Sequence, residues 1–180
     1  MRLVLVSLLA LVLCACSQAA PDSSAVSVPP EPSRSVLSGD YKPASNTARA
    51  ITGGMVVQRG GVIFDNGVVL YTRTLDPRRG GDLMAKNGDT YAAAVVGPGS
   101  LNVELRRVTE QVVPGGVVGL CGAEQPQYLA LTYDERATVV TVLVFSGDEP
   151  PSRDALNSRV CARFGYAAPE GARTREGVVL

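Results

Sequence analysis

Glu104 and Glu110 are the first pair in the sequence whose residue types suggest catalysis. Two carboxylates about 5 to 9.5 Å apart can hydrolyse a glycosidic bond without histidine. Both fall on one β-prone run, six residues apart at about 3.4 Å each, so a straight strand separates them by roughly 20 Å. Asp134 and Glu135 sit in a turn-like stretch that favours solvation. Cys121, in Gly119-Leu120-Cys121-Gly122, has the chemistry of a nucleophile, but the chain has no histidine to activate it. The lack of histidine also removes the commonest metal ligand and the commonest general base near neutral pH. Lysine occurs only as Lys42 and Lys86. These residues imply no catalytic set, no cofactor and no metal site; the expectation is a protein that is not an enzyme, with a carboxylate-dependent hydrolase as the distant alternative. Arg78-Arg79-Gly80-Gly81-Asp82 is of another kind. Arg78, Arg79 and Asp82 form a candidate binding loop, because a guanidinium matches a partner's carboxylate in geometry and charge. The plain alternative is a solvated turn.

Four cysteines divide into two pairs. Cys14 and Cys16 close an N-terminal stretch in which a basic start, Met1-Arg2, precedes an apolar run, Leu3 to Leu13. The run is too short to span a bilayer as a helix and has the form of an export signal. Leu13-Cys14-Ala15-Cys16 resembles a bacterial lipobox, with Cys14 where a small residue or Val is usual. The resemblance implies removal of residues 1–15 and a lipid on Cys16. A plain secretory signal, with Cys16 incidental, is the alternative. More than one acyl chain gives stable anchoring, and lipoproteins of this kind usually carry three. Ser17, in place of the aspartate that favours inner-membrane retention, points to the outer membrane. In an oxidising compartment Cys121 and Cys161 are expected to pair. The loop closed is about 40 residues, worth roughly 4 kcal/mol in the chain-entropy model. Free thiols, or Cys121 as a nucleophile, are the other readings.

These residues need elements to hold them. Residues 16–46, rich in Ser, Ala and Pro, read as a disordered tether. Residues 47–168 read as one β-rich domain and 169–180 as a flexible tail. Within the domain, Met55–Gln58 and Gly61–Phe64 are short β-prone runs. Asp65-Asn66-Gly67 supplies a hairpin turn into Val68–Thr74. Thr90–Val96 reads as another strand. Leu101–Val113 alternates, with Leu101, Val103 and Leu105 on one face and Asn102, Glu104 and Arg106 on the other, so it reads as a half-buried strand. Gln127–Tyr133, Thr138–Phe145 and Val160–Tyr166 complete the set, with a short helix expected over Arg153–Ser158. The fold class is mainly β: a small antiparallel barrel or sandwich with at most one or two short helices and one disulfide.

Three stretches resemble a group of small proteobacterial lipoproteins and exported proteins. They are Ile51-Thr52-Gly53 with Val62-Ile63-Phe64-Asp65-Asn66-Gly67; Leu120-Cys121-Gly122 with Tyr128-Leu129-Ala130-Leu131; and Val142-Leu143-Val144-Phe145-Ser146-Gly147 with Cys161, Phe164 and Tyr166. The resemblance implies an architecture and carries no chemistry. A looser one is to periplasmic C-type lysozyme inhibitors, small β-barrel lipoproteins with a disulfide and a Ser-Gly-x-x-Tyr stretch. Asn87-Gly88-Asp89-Thr90-Tyr91 echoes it in part, and tryptophan is absent.

Basic and acidic residues balance at 17 each, which gives no electrostatic reason to expect nucleic acid. The expected protein is an outer-membrane-anchored periplasmic lipoprotein. Its partners are the membrane, through the N-terminal lipid, and a protein of the envelope. A lysozyme-inhibitor-like protein and a carrier of a small apolar ligand are the remaining alternatives.

Overall fold

The computed structural model describes residues 37–95, 101–168, 173–174 and 177–178. Cys14, Cys16, the export segment and tether residues 16–36 lie outside the described residues. Thirteen elements follow in chain order. They are β1 (Gly39–Pro43), a π-helical turn (Ala48–Thr52), β2 (Met55–Gln58), β3 (Gly61–Phe64), β4 (Val69–Thr74), β5 (Arg78–Arg79) and α1 (Tyr91–Ala94). Then come β6 (Asn102–Val112), β7 (Tyr128–Tyr133), β8 (Val139–Ser146), β9 (Arg159–Ala167), β10 (Arg173–Thr174) and β11 (Gly177–Val178).

Eight strands make an antiparallel barrel in the order β1-β2-β3-β4-β6-β7-β8-β9. Each strand pairs with the next, and β9 returns to β1 through Lys42 opposite Ala167 and Pro43 opposite Tyr166. Closure gives each of these eight strands a hydrogen-bonded neighbour on both sides. The short β5 extends the line of β4 along β6, with Arg78 opposite Val103.

An eight-stranded barrel encloses a space that side chains can fill. Here Phe64, Phe164, Tyr166, Met55, Leu70 and Leu129 are all buried in it. The Phe64 ring lies 6.4 Å from the rings of Phe164 and Tyr166. A second cluster lies on the outer face of β6, β7 and β8. There Tyr91, Met84 and partly buried Leu75 cover Leu105, Tyr128, Ala130 and Phe145. With both faces covered, β7 is buried along its whole length. That explains why Tyr128-Leu129-Ala130-Leu131 reads as an unbroken apolar run.

The Asp65-Asn66-Gly67 turn forms where the dipeptide signal places it. Phe64 N–H donates to Val68 O at 2.9 Å, and Gly67 has φ 86°. The turn also docks on the π-helical turn region: Asn66 Nδ2 donates to Ile51 O at 2.9 Å, and Gly54 N–H donates to Asp65 Oδ2 at 2.7 Å. The Ile51-Thr52-Gly53 and Asp65-Asn66-Gly67 stretches thus form one structural junction. Thr52 and Tyr166 share a buried hydroxyl–hydroxyl bond of 2.6 Å there. Cys121 and Cys161 are joined, Cα to Cα 5.2 Å, tying the β6–β7 loop to β9.

Five expectations are corrected. The barrel begins with Leu37 and β1, inside the stretch read as tether 16–46. Only Tyr41 of β1 is fully buried, so the strand carries no alternation to read. Thr90–Val96 is not a strand: Thr90 Oγ1 accepts Ala93 N–H at 3.1 Å and starts the helix that Ala92, Ala93 and Ala94 favour. Arg153–Ser158 is a series of turns, braced by Glu149 Oε2, which accepts the Leu156 and Asn157 N–H groups at 2.6 and 3.1 Å. Glu104 and Arg106 of β6 point into the barrel, whereas Asn102 at the start of the same strand is exposed. In the tail read as loose, Arg173–Thr174 pairs with Gly177–Val178.

Candidate functional site

Two places gather charged groups in a way that burial or geometry singles out. The first is inside the barrel. Arg106 on β6 is fully buried, and Glu104 beside it is nearly so. Arg106 Nε donates to Glu104 Oε1 at 2.7 Å. Its Nη1 donates to Gln58 O at 2.7 Å and its Nη2 to Leu37 O at 3.3 Å. Glu104 Oε2 accepts the Leu37 N–H at 2.9 Å. The pair therefore grips both main-chain groups of Leu37, whose side chain is buried in the barrel core. A buried charge is tolerated only when paired and hydrogen-bonded, and both conditions hold here.

Glu110, the other carboxylate of the suggested catalytic pair, is exposed on the outside of the barrel. A register shift in the β4–β6 ladder separates it from Glu104. The two carboxylates do not face one another. Asp134 is engaged by its own turn: its Oδ1 accepts Thr138 N–H, and its Oδ2 accepts the Thr138 hydroxyl, both at 2.8 Å. Cys121 is in the disulfide.

The second place is a cleft of about 430 Å³ on the outer surface, lined by Arg78, Gly81, Asp82, Leu83, Ser152 and Arg153. One wall is the loop after β5. Arg79 N–H donates to Asp82 Oδ2 at 2.9 Å, and Asp82 N–H donates back to Arg79 O at 3.0 Å, which closes a tight turn. Tyr91 N–H to Asp82 O, 3.2 Å, and Ala92 N–H to Gly80 O, 2.8 Å, fasten that turn to α1. The other wall is the β8–β9 loop. Lys86 N–H donates to Ala155 O at 2.8 Å and joins the two sides.

Behind Arg78 lies Tyr91, fully buried and stacked edge-on to Phe145 at 6.4 Å. Its hydroxyl makes no hydrogen bond of good geometry, and Arg78 is the donor that comes nearest to it. Burial pushes the Tyr91 pKa up from 10.0 to about 12, with Asp82 adding to the rise and Arg78 opposing it. The phenol is therefore neutral at physiological pH.

A second groove, of about 420 Å³, carries Arg159, but there the cation is already satisfied. Arg159 Nη2 contacts Glu124 Oε1 at 2.6 Å and Oε2 at 2.7 Å. The Ser146 hydroxyl first, and then Arg159, hold the Glu124 carboxyl below its ordinary range. Neither Arg78 nor Arg153 makes an ion pair among the described residues, which sets the first cleft apart.

Of the loop residues singled out from the sequence, Arg78 and Asp82 line the cleft. Arg79 is exposed and is not part of the lining. Ser152 and Arg153 are not among the residues the sequence singles out, because Pro151-Ser152 reads there as a helix start. Among the described residues no group of three His, Cys, Asp or Glu gathers as a metal site, and no helix is long and apolar enough to cross a membrane. No protein-family model matches the chain, and neither curated proteins nor solved structures give a match.

Proposed function

We propose that this chain is an exported lipoprotein of the bacterial envelope, anchored to the outer membrane through Cys16, whose barrel is a non-enzymatic binding module. The observation that carries this reading is the grip on Leu37. The chain enters the barrel at a residue whose N–H and C=O are both held by a buried ion pair. A barrel held on a leash needs a firm attachment where the leash ends. A Leu37 side chain alone would offer only apolar contact, whereas the Glu104–Arg106 pair adds directional bonds.

Two further features support it. The Cys121–Cys161 bond suits an oxidising compartment. The barrel interior is occupied by fully buried side chains, so binding is assigned to the outer surface, and the carrier of a small apolar ligand is the weaker reading. On this account residues 17–36 are the leash and the cleft beside Arg78 and Arg153 is the binding surface.

The test is capture. The mature, lipidated protein in detergent, oxidised and folded, is immobilised and exposed to an envelope extract, with lysozymes as separate analytes. One saturable partner or ligand from the extract is expected. Saturable binding of a lysozyme alone would replace this reading with an inhibitor. No binding at all would overturn it.

A further inference from the structure

We propose that the cleft between the β5–α1 loop and the β8–β9 loop binds a small carboxylate that carries a hydrogen-bond donor beside its carboxyl group. Hydroxy acids, sugar acids and peptide C-termini share this chemistry. The inference rests on the reading of this surface as the binding surface, and it names the ligand class.

The cleft presents two guanidinium groups, Arg78 and Arg153, against one carboxylate, Asp82. Neither arginine has an acidic partner among the described residues, in contrast to Arg159 in the second groove. A guanidinium offers donors in a planar fork that fits a carboxylate with two parallel bonds. The excess of cations selects an anion.

Asp82 refines the choice. Its Oδ2 is occupied by Arg79 N–H. The remaining oxygen is an acceptor in a cleft otherwise furnished with donors. It suits a ligand hydroxyl or N–H next to the bound anion. Its negative charge disfavours a phosphate dianion more than a carboxylate monoanion. Ser152 adds a hydroxyl on the opposite wall.

Tyr91 bears on the same residues. Its hydroxyl is buried and makes no hydrogen bond of good geometry, and the donor that comes nearest to serving it is Arg78, which also lines the cleft. Buried polar groups are nearly always satisfied, and the exceptions concentrate where a structure has a task beyond stability. Tyr91 is one of four such groups among the described residues, with Tyr41, Gln111 and Ser158, and it is the one on which the cleft residues Arg78 and Asp82 act electrostatically.

The test uses the mature full chain in detergent micelles, with the arginine Nε–H signals followed by NMR. Probes are lactate, acetate and inorganic phosphate. Lactate is expected to shift the Arg78 and Arg153 signals saturably and to bind several-fold tighter than acetate. Arg78→Gln and Arg153→Gln should each weaken lactate by at least about tenfold, the loss expected for a charge-assisted bond. Arg79→Gln, outside the lining, should leave it unchanged. Arg153 is exposed, so Arg153→Gln tests the cleft without threatening the fold. Absence of a saturable shift at either arginine, indifference of lactate to both substitutions, or phosphate binding tighter than lactate would each overturn the proposal. The tethered-module reading fails on a different result, when capture with the unsubstituted chain yields no saturable partner on any of its surfaces.

Discussion

Replacing Glu104 with glutamine removes one charge and changes almost no volume. The substitution leaves Arg106, which is fully buried, without its counter-charge. The carboxylate now accepts from Arg106 Nε with Oε1 and from Leu37 N–H with Oε2. A glutamine amide has one oxygen and one NH₂, so one of those two donors must face another donor. Arg106 keeps Gln58 O at 2.7 Å and Leu37 O at 3.3 Å, both neutral acceptors. Breaking a buried pair from one side costs about 3–5 kcal/mol. Glu104→Gln should therefore lower the unfolding free energy by that amount in urea, with the disulfide intact and the slope against urea unchanged. Amide exchange at Leu37 should speed up as its anchor weakens. The double variant Glu104→Leu, Arg106→Met removes both charges together. It should be less unstable than Glu104→Gln, while still exposing the Leu37 amide to exchange. A loss below about 1 kcal/mol for Glu104→Gln, or an unchanged Leu37 exchange rate in both variants, would refute the claim that the pair fastens Leu37.

Three further outcomes are expected. Changing Cys121 and Cys161 together to serine should cost about 4 kcal/mol in urea unfolding, the chain entropy of the loop they close; a cost under about 1 kcal/mol would contradict that account. Gly147→Ala should destabilise by more than about 2 kcal/mol. Gly147 has φ 99°, and an added Cβ would fall 1.5 Å from Asn157 O, where the β8–β9 loop folds back; thermal unfolding at unchanged Tm would exclude it. Alkaline stability should follow the buried tyrosines. Burial raises the pKa of Tyr41, Tyr91 and Tyr166 above 10.0, that of Tyr91 to about 12. The native state thus retains protons that the unfolded chain releases. Stability is full below pH 10 and declines as pH rises from 10 through 12, at up to about 1.4 kcal/mol per pH unit for each tyrosine. Urea unfolding across that range should show the decline, and Tyr91→Phe should remove one proton from its slope.

What the sequence disclosed and what it hid have local and non-local causes. β2 and β3 coincide with the β-prone runs at 55–58 and 61–64, and the Asn-Gly turn follows, because turn chemistry is written in adjacent residues. The disulfide was legible from cysteine count and expected compartment. Glu104 and Arg106 fall on the polar face of an alternating run, the face that by default meets solvent. What turns them inward is their pairing with each other and with Leu37, which lies far back in the chain. β1 was lost to the tether for the matching reason: its place comes from β2 and β9, not from its own composition. Thr90 followed by a run of alanines was a capping signal, outweighed by the β-prone residues on either side. Half of the cleft, Arg78 and Asp82, came from charges clustered in one loop. The other half, Ser152 and Arg153, arrives through a loop that folds back over the barrel and whose turns resemble a helix start.

The most direct test of the account is the mass of the N-terminal peptide of the mature protein, isolated from the envelope of its own host. A peptide beginning at Cys16 and carrying acyl chains, recovered with the outer-membrane fraction, is the predicted result. A mature chain that begins elsewhere, or an unmodified Cys16 in the soluble fraction, would contradict the tethered module.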